Sequence, residues 1–331
     1  MLTVLTRRQC VLMLGASFRA AEERKLYEEW RRIAKTTDGT MGVAALYLPS
    51  GELVSLNGDE RFPLASVCKI PIAMNILALV DEGKLALDQQ IEVLPRDVWA
   101  GVSEIEKRWP AERRFRLDEM IDLMVSKSDN TVVETLFRIG GGEQAIAKRL
   151  SHWNIEGVRV DRSERQCARD RNGVVRYPPA DEWTDRLLEN LMDKTPLAKR
   201  YRATLRYLAD PRDTGTPNGT VRLLSRRFQG EMLSKLSTTR LIESLKATTT
   251  FPTRLKGLLP PGTVVAHKTG STGAVNGLAA ATNDSGVIFL QDTTQLAVSV
   301  YVKASTRTDS ERDLVIARLA RAAFELFRSR A

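Results

Sequence analysis

Ser66 and Lys69 lie three residues apart at the head of an apolar run, in the stretch LASVCKIPIAMNIL (residues 64–77). If a helix begins just after Ser66, the two side chains share one face of its first turn, at the positive end of the helix dipole. A serine hydroxyl becomes a nucleophile only when a base takes its proton, and a partly desolvated lysine amine can be that base. By itself, however, this spacing more often reflects a capping serine and a solvated lysine.

A second polar cluster, SKSDNTVVETL (residues 126–136), places a hydroxyl and a carboxamide before a predicted helix. Thr131 and Glu134 fit a capping box, so Ser128 and Asn130 are expected on the loop just before that helix. From there both side chains can reach into a cleft. The cluster alone is also typical of a polar loop with good capping residues.

The stretch VVAHKTGST (residues 264–272) ends a predicted strand with a cation, a hydroxyl and a glycine. These are Lys268, Thr269 and Gly270, and the missing side chain of Gly270 is expected to let a ligand lie against the strand edge. Backbone N–H groups of such an edge can bind an extended substrate or an oxyanion. The three clusters together, in this order, are far more specific than any one of them.

Ser-x-x-Lys, Ser-Asp-Asn and Lys-Thr-Gly are together the signature of serine enzymes that react with penicillins. On these motifs the sequence resembles the class A β-lactamase family, and the resemblance extends over nearly the whole chain after the first twenty residues. The stretch DTGTP (residues 213–217) also matches. The resemblance implies a covalent acyl-enzyme mechanism, with a small β-lactam or cell-wall peptide as substrate and no metal or cofactor.

The resemblance also implies a role for each matched catalytic residue. Ser66 would be acylated and Lys69 would take part in its deprotonation. Ser128 would pass a proton to the leaving nitrogen, while Lys268 would tune that transfer and help to hold the substrate carboxylate. Acyl transfer needs such a nucleophile and proton path, together with charge stabilisation.

Substrate-binding residues follow from the same resemblance. Asn130 would hydrogen-bond the substrate amide, and Thr269 and Ser271 would hold its carboxylate next to Gly270. The backbone N–H groups of Ser66 and Ser271 would form the oxyanion hole.

Deacylation requires a base for water, and the family uses a glutamate on its omega loop. In VDRSERQCARD (residues 160–170) the candidate is Glu164, two residues after Arg162. The family usually has proline directly after this glutamate and asparagine four residues beyond it, whereas this chain has Arg165 and Ala168. The second change removes an amide that would help to hold the water.

The loop region is also enlarged, at about residues 165–212, and the extra part has a helical pattern. It is either a surface insertion or a lid that alters substrate access. An ion pair between Arg162 and Asp213 is expected to close its neck.

An arginine that clamps the carboxylate is absent from the next strand, where Asn276 stands in VNGLAAA. Some members of the family instead place the arginine before the lysine strand, and Arg254 matches that position. Arg254 is therefore either a carboxylate ligand or an exposed arginine without special contacts.

The elements that must position these residues follow from hydrophobic periodicity and turn residues. Strands are predicted at residues 41–48, 52–56, 263–268, 277–281 and 297–302. Helices are predicted at residues 22–34, 67–83, 117–125, 131–139, 142–150, 181–192, 198–208, 219–228, 237–248 and 310–327.

Strands at both ends with helices between them predict an α/β (α+β) fold, with an antiparallel sheet built from both chain ends and an inserted all-α lobe. One catalytic domain is expected over residues 21–331. Its α/β lobe would comprise residues 21–60 and 215–331, and its helical lobe residues 61–214. The cleft between the lobes is the expected active site.

The first twenty residues carry Arg7 and Arg8 ahead of a short apolar run, which is typical of a twin-arginine export leader or, alternatively, of a frayed amphipathic N-terminus. The run is too short to span a bilayer. We therefore expect an exported protein, periplasmic or extracellular, monomeric and without stable membrane insertion after removal of the leader. Cys68 and Cys167 could pair, but two such thiols are more often simply buried.

Charge and histidine content argue against other classes. Lys and Arg exceed Asp and Glu by 50 to 41, but they are scattered among acids without interleaved aromatics, so nucleic-acid binding is not indicated. With only His152 and His267, a zinc site or a Ser-His-Asp triad is not indicated either.

The sequence thus predicts a serine β-lactamase. The alternatives are another serine hydrolase of the same fold, such as a D-alanyl-D-alanine carboxypeptidase or an esterase, and a slowly turning over protein that binds penicillin or cell-wall peptide. The changed surroundings of Glu164 are the main support for the last.

Overall fold

The computed structural model describes residues 7–99, 103–179, 186–228, 230–290 and 294–330. Its centre is a five-stranded sheet in which every neighbouring pair is antiparallel. The strand order is β2-β1-β11-β10-β7, so both ends of the described chain contribute. This confirms the predicted fold class. The bounds are Glu52–Leu56 for β2, Thr40–Tyr47 for β1, Gln295–Lys303 for β11, Thr282–Phe289 for β10 and Val265–Ser271 for β7.

The central strands are buried almost throughout because helices cover both faces of the sheet. One face packs against the first helix, α1 (Arg7–Ala34), and the last, α11 (Asp309–Arg328). Trp30 joins these two helices, since it is fully buried and its indole Nε1 donates to Leu319 O at 3.0 Å. The opposite face packs against helices that lie between β2 and β7 in the chain, among them Pro217–Phe228 and Lys235–Lys246.

The strand predicted just before β10 is wrong in its position. A strand was expected at residues 277–281, where the structure has only the short β9 (Leu278–Ala279), while the long strand follows directly. Its first residues, TNDSG, are mostly of types that favour turns, so local propensity does not indicate a strand there.

Buried partners explain why these polar residues tolerate the sheet centre. Asn283 Nδ2 donates to the carbonyls of Pro63 and Leu64 at 2.8 and 3.0 Å. The hydroxyls of Ser285 and Ser299 share a hydrogen bond of 2.7 Å across the strand pair.

The first helix begins at Arg7, fifteen residues before its predicted start, and the helix Glu164–Asn172 had no predicted range of its own. The other predicted helices are found with smaller shifts at their ends. Residues 181–185 of one prediction lie outside the described residues, and the predicted leader, residues 1–20, lies partly outside them. The helices are α2 (Lys69–Asp81), α3 (Leu117–Asp122), α4 (Asn130–Ile139), α5 (Gly142–His152), α6 (Glu164–Asn172), α7 (Leu187–Asp193), α8 (Leu197–Ala209), α9 (Pro217–Phe228) and α10 (Lys235–Lys246).

Helices α6, α7 and α8 fill most of the enlarged loop region, which confirms its predicted helical character. Side-chain hydrogen bonds tie α8 to α6, since Arg200 Nε donates to Asn172 Oδ1 at 3.2 Å and Thr204 Oγ1 donates to Arg171 O at 3.2 Å. Ala168 and Leu188 are buried in a small apolar cluster with Trp99. Glu164 therefore belongs to a packed helical layer.

Short strand pairs complete the described architecture. Strand β3 (Phe62–Pro63) pairs with β6 (Thr214–Gly215), which places the chain before Ser66 next to the neck of the enlarged region. The other two pairs are β4 (Gln90–Glu92) with β5 (Arg114–Arg116) and β8 (Ala274–Val275) with β9.

None of the helices in the described part of the chain is both long and apolar enough to span a membrane.

Candidate active site

Ser66 lies in a 3₁₀ turn, Ala65–Cys68, that leads directly into α2. The residues before it are held from two sides, because Asn283 bonds the Pro63 and Leu64 carbonyls and Leu64 N donates to Asp213 O at 2.9 Å. Ala65 adopts a left-handed φ of 46°, a costly conformation for a residue with a Cβ. The turn that presents Ser66 is therefore fixed by its surroundings.

Lys69 is fully buried behind Ser66 and joins two of the predicted motifs. Its Nζ donates to Ser128 O at 2.8 Å, to Ser128 Oγ at 3.1 Å and to Asn130 Oδ1 at 2.7 Å. Burial lowers the pKa of this amine, and the nearby Glu164 carboxylate opposes that shift. Lys69 therefore gives up its proton more readily than a solvated lysine would, as a base for Ser66 must.

The backbone at Ser128 is unusual and explains how it faces Lys69. A π-helical turn, Leu123–Lys127, follows α3, and Ser128 then adopts a left-handed φ of 61°. The predicted capping box is wrong, since the N-cap of α4 is Asp129, whose Oδ1 accepts from Val132 N at 3.0 Å. Thr131 Oγ1 instead accepts from Trp99 N at 3.0 Å.

Strand β7 lies at one edge of the sheet and carries Lys268, Thr269 and Gly270. Lys268 is fully buried, and its Nζ donates to Thr269 O at 2.9 Å. Burial, together with the positive charge of Lys69, lowers the pKa of Lys268 to about 7. The hydroxyls of Thr269 and Thr250 share a hydrogen bond of 2.6 Å.

Gly270 allows β7 to approach the Ser66 turn closely, which was not predicted from the sequence. A Cβ added there would lie 2.8 Å from Leu64 O and 3.1 Å from the backbone N of both Ser66 and Val67. The missing side chain thus lets β7 approach the nucleophile turn of the same chain, whereas a ligand was expected at this edge. Because all three atoms belong to the backbone, they cannot move aside without a substantial cost in free energy.

We expect Gly270→Ala to separate β7 from the Ser66 turn. Crowding of backbone by an added methyl group costs about 1–3 kcal/mol of stability, and a displacement of catalytic groups by about 1 Å can reduce the rate about 100-fold. The measurements are the urea midpoint and kcat/KM of the folded variant. Gly219→Ala, whose Cβ would meet Glu156 O at 2.5 Å, is the control that should lose stability without a comparable loss of kcat/KM. Equal rate losses in both variants would contradict the expectation.

Arg254 lies behind Ser271 and is only 1% exposed, so the alternative of an exposed arginine without special contacts is wrong. Its guanidinium donates to Ser271 Oγ at 2.7 Å and to the carbonyls of Gly270 and Asn283. Asp313 Oδ1 accepts from its Nε at 2.7 Å. Asn276 is exposed, with a left-handed φ of 51°, at the turn between β8 and β9.

Glu164 is the first residue of α6, and Ser163 caps that helix. Its Oε2 lies 3.8 Å from Cys68 Sγ, within reach of a thiol donor. Both residues line a cavity of about 40 Å³, together with Cys167, Ala168 and other side chains. This volume is enough for a water molecule. Both cysteines are free thiols, in agreement with the simpler prediction.

The neck of the enlarged region is closed by the predicted ion pair. Arg162 Nε lies 2.5 Å from Asp213 Oδ2, and Asp213 Oδ1 accepts from Asp161 N and Arg162 N at 2.8 and 2.9 Å. Arg162 also contacts Asp170 and Asp210. This confirms the expected pair.

Glu134 is a site residue that the sequence analysis did not identify as such. Its Oε1 accepts from Arg165 N at 2.8 Å and so holds the first turn of α6, next to Glu164. Arg165 is itself buried, donates to Val98 O at 2.6 Å and lies over the Trp99 ring. Burial raises the pKa of Glu134 to about 7, although the hydrogen bond from Arg165 N opposes this shift.

Glu134 should make stability depend on pH. Because burial makes the folded protein hold this proton more tightly than the unfolded chain, the contribution is fully present below about pH 4.5 and is lost as the pH rises through about 7. The loss is on the order of a few kcal/mol. Glu134→Gln keeps an acceptor for Arg165 N without a charge, so its stability relative to the parent should increase from pH 4.5 to pH 8. Unfolding free energies at both pH values test this, with exposed Glu143→Gln as the control. A relative stability that stays constant would contradict it.

The structure thus brings most of the predicted residues together. Lys69, Ser128 and Asn130 are bonded directly, Ser66 adjoins β7 through Gly270, and Glu164 contacts the residue next to Lys69. Within the described residues no hydrogen bond joins Ser66 Oγ to another protein group. Catalytic hydrogen bonds are often completed only when the substrate binds.

Comparisons with known proteins agree with this geometry. Residues 25–327 match the family described as "Beta-lactamase enzyme family". The extended-spectrum β-lactamase PER-1 of Pseudomonas aeruginosa is 31% identical over 97% of this chain and 94% of its own length. Among solved structures, a β-lactamase from Chitinophaga pinensis is 31% identical with a TM-score of 0.76, covering 91% of this chain and 98% of its own. An ancestral class A β-lactamase is 29% identical with a TM-score of 0.73, covering 91% of this chain and 99% of its own. The chain therefore belongs to the β-lactamase enzyme family.

Proposed function

We propose that this protein is a serine β-lactamase, which hydrolyses the cyclic amide of β-lactams through an ester on Ser66. The observation that carries the proposal is the convergence of Lys69, Ser128 and Asn130 in one hydrogen-bonded cluster beside Ser66. Two motifs that are far apart in the sequence thus meet beside one potential nucleophile, and the third adjoins the Ser66 turn through Gly270.

In the acylation step, Ser66 Oγ attacks the β-lactam carbonyl as its proton is removed with the help of Lys69. The C–N bond of the ring then breaks, and Ser128 delivers a proton to the leaving nitrogen. The hydrogen bond between Lys69 Nζ and Ser128 Oγ supports this route, because it joins the base to the acid. The low pKa of Lys268, about 7, suits a group that assists proton transfer at neutral pH.

Charge stabilisation is assigned to the edge strand. The backbone N–H groups of Ser66 and Ser271 would bind the oxyanion, and the tight approach at Gly270 keeps the two segments together. Thr269 and Ser271 would hold the substrate carboxylate with Lys268. Arg254 would act there through Ser271, because its guanidinium donates to that hydroxyl.

In the deacylation step, Glu164 takes a proton from a water molecule that attacks the Ser66 ester and releases the serine. The cavity beside Glu164 supports this role because it can hold a water molecule. Ala168 lines the same cavity and offers no amide to that water.

We also propose that the protein is exported and acts as a monomer. The paired Arg7 and Arg8 before a short apolar run support export. The candidate catalytic residues all come from one chain, so the proposed chemistry requires no second subunit.

The test combines a chromogenic cephalosporin with intact-mass measurement over time. A transient adduct with steady colour release is the expected result. A persistent adduct without turnover would instead indicate a penicillin-binding protein. Neither adduct nor turnover, while D-alanyl-D-alanine peptides or simple esters are cleaved, would indicate another serine hydrolase of the same fold.

A further inference from the structure

Cys68 lies next to residues of both proposed catalytic steps. It lies in the chain between Ser66 and Lys69, yet its side chain points at Glu164, with Sγ 3.8 Å from Oε2. Among the described residues, it is the one side chain whose hydrogen-bond donor reaches this carboxylate. Lys69 Nζ donates to Ser128 and Asn130 instead.

The Cys68 thiol is expected to keep its proton and can therefore donate a hydrogen bond. Burial, and next the Glu164 charge, raise the pKa of the thiol well above its ordinary value. The group therefore remains S–H at neutral pH and offers its hydrogen to the carboxylate. An S–H group is a weak donor, but a charged acceptor strengthens the interaction.

Among the described residues no second side-chain hydrogen bond to Glu164 is found, although Arg171 and Tyr207 also line its cavity. Ala168, one turn further along α6, brings only a methyl group to the cavity, and Cys167 brings a second thiol. The carboxylate must nevertheless be oriented to remove a proton from water, and small misplacements of such a base reduce its rate strongly.

We propose that Cys68 is a positioning residue for deacylation, whose thiol holds the Glu164 carboxylate toward the cavity that receives the hydrolytic water. This inference rests on the proposed function of Glu164. It implies that one helix start serves both steps, with Ser66 and Lys69 acting in acylation and Cys68 in deacylation.

The expected effect of Cys68→Ala is a split between kinetic constants. Acylation, and with it kcat/KM, should stay close to that of the parent, while deacylation slows roughly fivefold, as expected for the loss of one hydrogen bond. When deacylation limits turnover, kcat and KM fall together. Damage to the fold would instead lower kcat/KM or the fraction of active enzyme.

Two further variants sharpen the test. Cys68→Ser restores a donor and should recover part of the deacylation rate. Cys167→Ala removes the other thiol of the same cavity but leaves the hydrogen bond of Cys68 in place, so it should slow deacylation less than Cys68→Ala does. Deacylation is measured directly as the decay of acyl-enzyme mass after excess cephalosporin is removed, and acylation by stopped-flow absorbance.

The inference is overturned if Cys68→Ala deacylates at the parent rate, or if Cys167→Ala slows deacylation as much as Cys68→Ala does. Loss of acylation in Cys68→Ala would also overturn it, because the thiol would then act on the Ser66 turn. A parent that forms no adduct at all would refute the proposed function itself, so the two failures can be told apart.

Discussion

Ser66→Ala is expected to abolish both the covalent adduct and turnover, with a loss of kcat on the order of 10⁵-fold or more. The reason is chemical, because only the Oγ atom is removed. That atom is free of hydrogen bonds to other groups in the described protein, and the surrounding turn is fixed by Asn283 and by Leu64 N, so the fold should be unaffected. Stability should change by less than about 0.5 kcal/mol.

Intact mass after incubation with a cephalosporin measures the adduct, and colour release measures turnover. Ser151→Ala, an exposed serine on α5, is the matched control and should behave like the parent. If Ser66→Ala still turned over substrate, the nucleophile would have to be sought elsewhere.

Glu164→Gln is expected to form the acyl-enzyme at a nearly normal rate and then to retain it. Loss of a general base typically costs 10²- to 10⁴-fold, and roughly this factor should appear in deacylation alone. The amide has almost the shape of the carboxylate and can still accept from the Cys68 thiol, so the cavity and α6 should be preserved. The mass spectrum should therefore show nearly complete acylation during turnover, whereas the parent shows a smaller fraction.

A double variant, Ser66→Ala with Glu164→Gln, should show no adduct, which would locate the trapped acyl group on Ser66. Unchanged turnover in Glu164→Gln would show that another group activates the water.

Much of the fold could be predicted because many of its helices are amphipathic and strands β1 and β11 are apolar. Helices α4 and α8, for example, begin and end within one residue of their predicted bounds. Strand β10 could not be predicted, since Asn283, Ser285 and their neighbours find partners only in the assembled sheet. Local sequence favours a turn there, and tertiary packing overrides it.

The candidate site, too, could be predicted only in part. The order of three motifs was enough to predict that Ser66, Lys69, Ser128 and Lys268 would meet. The supports of Glu164 were not predictable, because its contact with Cys68 and the bond from Arg165 N to Glu134 join residues that are distant in sequence and carry no motif. The Asp129 cap was missed because the neighbouring Thr131 offered an equally good local pattern.

Ser66 and Glu164 both stand where helices begin, at the starts of α2 and α6. The partial positive charges of two helix ends therefore converge on one small cavity, close to the buried Lys69 and Lys268. We expect these positive charges to favour the binding of an anionic substrate at Ser66, beside this cavity. Long-range attraction, and with it the rate of encounter, should weaken as dissolved salt screens these charges.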